Sequence, residues 1–481
     1  MRVGLGQIPE AGRRALAALA ELAGPARPAW VVGGTLREIL SGGAAADLDL
    51  AVAGGALELG RRLAGSLDAT FVVLDEARGA GRIVPRSGSA VDLVDLRAAT
   101  LDEDLRARDF TVNALAAPVD ELLRHGGATI VDATGGLDDL HDRVVRLCGP
   151  AAISDDPVRA LRGVRLAMRP GWRLHPDTEA AIAAAAHLMR RVAAERIRDE
   201  LVGILSEPAA GAGLRALDRL GVLAVLLPES LPMRATTQPL PHHFDVWEHS
   251  LRAVEGVDAL LAGLDALAPW APALREHLML ELGGGLTRRE ALKLAALLHD
   301  VAKPETRAEV AGRIRFIGHD AAGARRTAGI ALRWRLSRHA AQVLERLVAE
   351  HLRPMHLAQA GVLTRRARFR FFRALGDEAR ELLLLALADA SALDGTSPLA
   401  IWTGSGGEVV RTLMAGADEE AAAAASPALL RGEDVMAAFG LTPGPEVGRL
   451  LALAREAQAL GLVSTRGEAL AHLRRETERG T

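Results

Sequence analysis

Asp47 and Asp49 stand two positions apart in Asp47-Leu-Asp-Leu-Ala-Val, where polar and apolar residues alternate as in a half-buried strand. On a strand that spacing puts both carboxylates on one face. Paired carboxylates there can hold one or two Mg²⁺ ions, which activate an attacking hydroxyl and stabilise the leaving oxygen of an in-line phosphoryl displacement. Taken alone, the pair is a weak signal, and a solvated strand end is the commoner account of it. The upstream segment tips the balance. Trp30-Val-Val-Gly33-Gly34 predicts a strand and turn leading into a helix over Thr35–Leu40. Two glycines let backbone N–H groups approach a triphosphate, and a helix N-terminus favours its charge. Arg37 is placed on the first turn of that helix, within reach of phosphate.

Other segments carry complementary groups. Arg108-Asp109-Phe-Thr-Val-Asn113 offers partners for ribose hydroxyls and phosphates; its plain alternative is a surface ion pair beside a capped turn. In Asp155-Asp156-Pro-Val-Arg159-Ala-Leu-Arg162 a helix is predicted from about Pro157, so Asp156 and Arg159 share one face. A carboxylate that accepts and a guanidinium that donates can read a Watson–Crick edge bearing an amine, as cytosine and adenine do. A local helix salt bridge is the simpler account of that pair in isolation. Asp92 and Asp95 read as sheet-edge aspartates before a third metal carboxylate, and Asp132 to Leu140 reads as a hinge. Far downstream, His299-Asp300 near a helix end can converge with His249 and Asp389 on one divalent ion.

The elements that must position these groups change character along the chain. Residues 1–150 mix short strand candidates (Phe71–Leu74, Gly81–Val84, Ala90–Leu96) with helices, whereas Ala, Leu and Arg recur at helical spacing from Asp155 onward. Pro232 to Pro241 is the clearest linker. Arg365-Arg-Ala-Arg-Phe-Arg-Phe-Phe-Arg373 interleaves cations and aromatics, as RNA contact would require, but at helical spacing the phenylalanines read as core and the arginines as solvated. The 481 residues carry 58 Lys and Arg against 61 Asp and Glu, a net charge of −3, with 49% hydrophobic residues. This excludes wholesale disorder and a uniformly basic nucleic-acid coat. The single cysteine, Cys148, excludes a disulfide-stapled scaffold and a cysteine zinc cluster. No apolar run approaches the roughly 18 residues a membrane span requires, so a cytoplasmic protein is expected. Lysine occurs only at Lys293 and Lys303, leaving cationic work to arginine.

Taken in order, these segments resemble the class II tRNA nucleotidyltransferase and bacterial poly(A) polymerase family. Val32-Gly-Gly-Thr-Leu-Arg-Glu38 is similar to its Gly-Gly-x-x-Arg-Asp turn, and Asp47-Leu-Asp49 to its metal pair. Arg108 to Asn113 resembles the ribose motif, Asp132 to Leu140 the hinge motif, Asp155-Asp156-x-x-Arg159 the nucleotide-template motif, and Glu195 to Leu201 the neck helix. Glu38, Ala107 and Asp155 depart from the usual Asp, Arg and Glu. The resemblance implies an α+β chain: a polymerase-β-like head over 1–150, a helical neck and body over 151–235, an all-α domain over 240–395 and a helical tail over 396–481. It implies template-independent addition of C, A or both to a tRNA 3′ end from CTP and ATP, releasing pyrophosphate. Mg²⁺ would sit on Asp47 and Asp49, and the nucleotide would meet Gly33, Gly34, Arg37, Arg108, Asp109, Asn113, Asp156, Arg159 and Arg162. Arg78 to Val84 lacks the Gly-Arg-Arg-Phe-like segment of poly(A) polymerases, which favours tRNA. The ordered set His249, His299-Asp300 and Asp389 resembles the HD phosphohydrolase superfamily, and His319 and His351 match the extra ligands of its two-metal members. That resemblance implies a divalent transition metal or Mg²⁺ and phosphoester cleavage at RNA ends, with Lys303 near phosphate. Its alternatives are a quiescent domain kept for RNA binding or dimerisation, or a hydrolase as the chain's main activity.

Overall fold

A computed structural model describes every residue except Ser87, Ser426, Gly480 and Thr481. The chain divides into two compact units, residues 1–200 with 216–226, and residues 201–215 with 227–481.

The first unit is built on a mixed seven-stranded sheet. In chain order its strands are β1 (Ala29–Val32), β2 (Leu48–Val52), β3 (Thr70–Asp75), β4 (Ala80–Val84), β5 (Val91–Asp95), β6 (Leu115–Pro118) and β7 (Val131–Asp132). Across the sheet they run β3-β4-β5-β2-β1-β6-β7. The predicted strands are all present. β2 and β5 pair in parallel, with Asp49 opposite Asp92, and β4 pairs antiparallel with β5, with Arg82 opposite Asp92. Register therefore puts Asp49, Asp92 and Arg82 on one face. The opposite face is covered by helices whose leucines are fully buried, among them Leu16, Leu36, Leu59 and Leu63.

Between β1 and β2 lies α1 (Gly33–Leu40), which begins two residues before the expected Thr35. After the sheet, the Asp132 carboxylate accepts from the backbone N–H groups of Thr134, Gly135, Gly136 and Leu137. The hinge motif is thus a tightly capped helix start in this structure. Two helices complete the parts that matter for function, α2 (Arg159–Ala167) and α3 (Ala194–Ser206).

The second unit is mostly helical. Its framework is α4 (Val246–Ala262), α5 (Arg288–Leu298), α6 (His319–Arg333), α7 (Arg338–Glu350), α8 (Arg365–Leu375), α9 (Ala379–Ala392) and α10 (Pro445–Ala459). Helix α5 opens on a capping box, in which Glu290 accepts from the Thr287 backbone N–H, and it is buried along nearly its whole length. Two short hairpins interrupt a block expected to be wholly helical: Glu281–Gly283 with Leu286–Thr287, and Arg307–Val310 with Arg313–Phe316. In α8, Phe369 and Phe371 are buried as expected. Its arginines, however, are not simply solvated. Arg366 and Arg370 both pair at 2.8 Å with the buried Glu456 of α10, and Arg373 donates to the Ala452 carbonyl. The arginine run thus holds the tail helix.

One packing constraint reaches the site directly. A Cβ on Gly136 would lie 2.1 Å from the Thr111 carbonyl oxygen, a backbone atom that cannot swing aside. Gly136→Ala should destabilise the protein by about 1–3 kcal/mol through overpacking, measured by urea denaturation. It should also displace the neighbouring turn Thr111–Asn113, read as weakened nucleotide binding.

Candidate active sites

The first site grows from the meeting of α1 and β2. Asp47 stands immediately before β2 and Asp49 is its second residue. The Thr35 N–H donates to Asp49 Oδ2 at 3.1 Å, its hydroxyl donates to the Asp47 carbonyl at 3.0 Å, and the same hydroxyl accepts from the Asp49 N–H at 2.7 Å. The glycines permit this. Gly33 has φ +63°, and a Cβ on Gly33 or Gly34 would sit 3.2 or 3.0 Å from Asp49 Oδ2. Thr35 therefore clamps the glycine turn to the carboxylate, a role the sequence reading missed.

Asp92 completes a cluster of three carboxylates. Arg82 grips it bidentately, with Nε 2.7 Å from Oδ1 and a terminal nitrogen 2.8 Å from Oδ2, and lies 3.5 Å from Asp47 Oδ2. Asp95, by contrast, caps the helix at Ala56, whose N–H donates to it at 2.8 Å. Of the two aspartates weighed from sequence, only Asp92 faces the site. Burial raises the Asp49 carboxyl above its ordinary value; the Thr35 N–H opposes that rise and the Asp92 charge adds to it. A concentrated negative charge already holding one cation suits divalent ions with oxygen ligands.

The cluster opens into a cleft of about 590 Å³ lined by Gly33, Gly34, Asp49, Asp92, Arg97, Arg108, Asp109, Asn113, Asp156, Arg159, Arg162 and Arg196. Most of the expected nucleotide-binding groups therefore share one cavity. Arg37 differs: because α1 starts at Gly33, it falls on the second turn, where it donates to the Asn113 side-chain oxygen and, at 2.7 Å, to Glu38. Asp109 is buried and accepts from Asn113 Nδ2 at 3.1 Å and from Arg162 at 3.0 Å. Burial pushes its carboxyl up, but the Arg162 charge and these bonds hold it below its ordinary value. Arg162 also donates to Glu200 at 2.9 Å, and Arg108 pairs with Asp104.

The expected helix face shared by Asp156 and Arg159 is not formed. Asp156 is extended, with φ −148° and ψ 91°, and α2 starts only at Arg159. Pro157 is the cause, since its ring excludes the helical conformation from the preceding residue. Asp156 instead receives a bidentate bond from Arg196 of α3, at 2.9 and 2.7 Å, while Arg159 donates to the carbonyls of Ala152, Arg108 and Ala107. Arg196 and Arg97 are cleft groups the sequence reading did not single out; the partner of Arg196 lies 40 residues away, so spacing carries no signal for it.

The second site lies wholly in the second unit. Its ligands sit at helix ends: His299 and Asp300 follow α5, His319 starts α6 and His351 follows α7, while His249 and Asp389 project from α4 and α9. Two trios form, His249, His299 and Asp389, and Asp300, His319 and His351. Each histidine turns Nδ1 to a backbone carbonyl, of Ala392, Ala296, Phe316 and Val348 respectively. That leaves the Nε2 atoms as lone-pair donors, and they face each other at 3.3 Å (His249 and His299) and 3.2 Å (His319 and His351). Asp300 presents Oδ2 to His299 at 3.2 Å and Oδ1 to His319 at 3.3 Å, and neither oxygen has a well-oriented hydrogen bond, although Lys303 Nζ is 2.6 Å from Oδ2. Converging lone pairs and an orphaned buried carboxylate fit two divalent ions sharing Asp300. The centre opens into a cavity of about 480 Å³, also lined by His242, Lys303, Phe316, Met355 and Val410. His242 was not anticipated.

A glycine turn beside clustered carboxylates, joined to a chain carrying a His/Asp metal centre, defines a nucleotidyltransferase-type head with an HD-type domain. Family profiles agree: residues 81–146 match the poly A polymerase head domain, 171–233 the probable RNA and SrmB-binding site of polymerase A, and 246–395 the HD domain. The chain is 36% identical to an A-adding tRNA nucleotidyltransferase of Deinococcus radiodurans over 94% of its own length and 96% of the relative's. It is also 36% identical to a CC-adding tRNA nucleotidyltransferase of Thermus thermophilus, covering 93% of each chain. Among solved structures, a CCA-adding enzyme in an apo form superposes with a TM-score of 0.66 at 19% identity over 98% of this chain and 97% of the other, a likeness of fold. The chain belongs to the tRNA nucleotidyltransferase family. Among the described residues, no helix is long and apolar enough to cross a membrane.

A proton on Asp49 competes with a metal ion, and its carboxyl is raised above 3.8. Mn²⁺ binding to the head should therefore weaken on acidification at a pH above that of an ordinary aspartate, as followed by electron paramagnetic resonance.

Proposed function

We propose that this protein adds C or A nucleotides to the 3′ end of tRNA, using CTP or ATP and releasing pyrophosphate. The observation that carries the reading is the single cleft in which Asp49 and Asp92 stand beside the Gly33-Gly34 turn at one end and Asp156, Arg159 and Arg196 at the other. Asp47, Asp49 and Asp92 would hold Mg²⁺, which supplies Lewis-acid activation of the 3′ hydroxyl and charge neutralisation at the departing pyrophosphate. The protein's own groups do the placing. Backbone N–H groups at Gly33 and Gly34 cradle the triphosphate, and the Asp109–Asn113–Arg37 linkage fixes the wall that meets the ribose. The 3′ oxygen bonds to the α-phosphorus as the bond to the bridging oxygen breaks, so alignment supplies much of the acceleration. Asp156, held open by Arg196, accepts from the exocyclic amine that cytosine and adenine share, and a donor from Arg159 or Arg196 reads the adjacent ring position.

The two relatives matched over more than nine-tenths of this chain add A and CC respectively, which favours one portion of the CCA end over all of it. Supplying tRNAs that end before the first C, after C and after CC, then sequencing the products, tests this. Extension either of the first two substrates, to CC, or of the third alone, by A, is expected; no incorporation from any would overturn the reading. Asp49→Asn should lower incorporation by more than about a hundredfold, since even outer-shell changes at metal sites cost 10–100-fold.

For the second unit the reading is a two-metal phosphoesterase acting on RNA ends, with Lys303 beside the phosphate. It is supported by the paired trios around Asp300. His319→Ala should abolish Mn²⁺- or Ni²⁺-dependent cleavage of bis-p-nitrophenyl phosphate while leaving nucleotide incorporation near normal. Equal loss of both activities would contradict separate sites.

A further inference from the structure

Arg82 sits where a metal-binding head would be expected to keep its carboxylates free. It is opposite Asp92 in the β4–β5 register and engages both Asp92 oxygens at 2.7 and 2.8 Å. The same guanidinium reaches to 3.5 Å from Asp47 Oδ2. A planar fork on both oxygens of one carboxylate is the strong, oriented form of ion pair. It leaves Asp92 no uncommitted oxygen in this state. Asp49 is outside its grip, being held by the Thr35 N–H instead.

We infer that Arg82 is a built-in cation of the head's carboxylate cluster, which competes with divalent metal for Asp92 and Asp47 and so restrains metal occupancy before the triphosphate arrives. Three carboxylates and one guanidinium leave a formal charge of −2, which one divalent ion neutralises; without the arginine the cluster carries −3 and attracts a second ion. Arg82 has somewhere to go, because its side chain is about two-fifths exposed. Incoming phosphates bring charge that can take over its pairing and release Asp92 as a ligand. It is thus a positioning residue, acting through the carboxylates. This inference rests on the reading that Asp47, Asp49 and Asp92 hold the metal.

Mn²⁺ titration of the full chain, followed by electron paramagnetic resonance, tests it on wild type, Arg82→Gln, Arg82→Lys and the double variant Asp47→Asn/Asp49→Asn. The double variant reports the HD-type centre alone and is subtracted from the others. Arg82→Gln should bind Mn²⁺ at the head about fivefold tighter than wild type, the factor expected from loss of one competing ion pair, with Arg82→Lys between them. In steady-state incorporation, the Mg²⁺ concentration giving half-maximal rate should fall in Arg82→Gln, a change that a merely structural role would not produce. Unchanged affinity would show that the arginine does not compete, and weaker affinity would show that it orients Asp92 as a ligand; either overturns the inference. A double variant that binds as much Mn²⁺ as wild type would instead remove the underlying metal assignment.

Discussion

The head depends on the close approach of the Gly33-Gly34 turn to Asp49. Thr35 makes three hydrogen bonds across that junction, joining the first turn of α1 to the start of β2. Any side chain at Gly34 would press on the Asp49 carboxylate at 3.0 Å. On the proposed reading, the amides that would cradle phosphate and the oxygens that would hold metal are therefore not two sites brought near each other. They are one piece of backbone, and a shift in either moves both. Preorganisation of this kind favours charge that develops during reaction over charge that must first rearrange its surroundings.

Around that junction the arginines are used in layers. Arg82 and Arg196 hold carboxylates at either end of the cleft, and Arg162 ties the ribose motif to Glu200. Arg37 and Arg169 converge on Glu38 behind the glycine turn. Glu38, where the family pattern has the shorter aspartate, is long enough to accept from both. A chain with only two lysines has built its polar framework from planar forks that fix the angle as well as the distance of each pair.

Much of this was legible in the sequence because its signals are local. Alternation located β2, and short runs between turn residues located β3, β4 and β5, within a residue or two; the ordered histidines and aspartates marked the second centre before any geometry was known. The helix face expected to carry Asp156 and Arg159 does not form, for a reason the sequence also contained: Pro157 excludes helix at residue 156, so the two meet in the cleft without sharing a helix. Arg196 was hidden because its partner lies 40 residues away and only tertiary packing joins them. The hairpin at Arg307–Phe316 was absorbed into a helical block although Arg307-Ala-Glu-Val and Arg313-Ile-Arg-Phe alternate polar and apolar residues about Ala311-Gly312, and it supplies the carbonyl that orients His319. In α8 the phenylalanines were read as core, as they are, but the arginines read as solvated pair with Glu456, a partner far along the chain that no spacing signals.

Asp300 divides its two oxygens between neighbouring histidine pairs, one toward His299 and one toward His319. A carboxylate shared in this way ties the two trios together: on the proposed two-metal reading, any turn of Asp300 toward one ion turns it away from the other. On that reading a substitution at Asp300 cannot be confined to one ion position, whereas one at His249 or at His351 can.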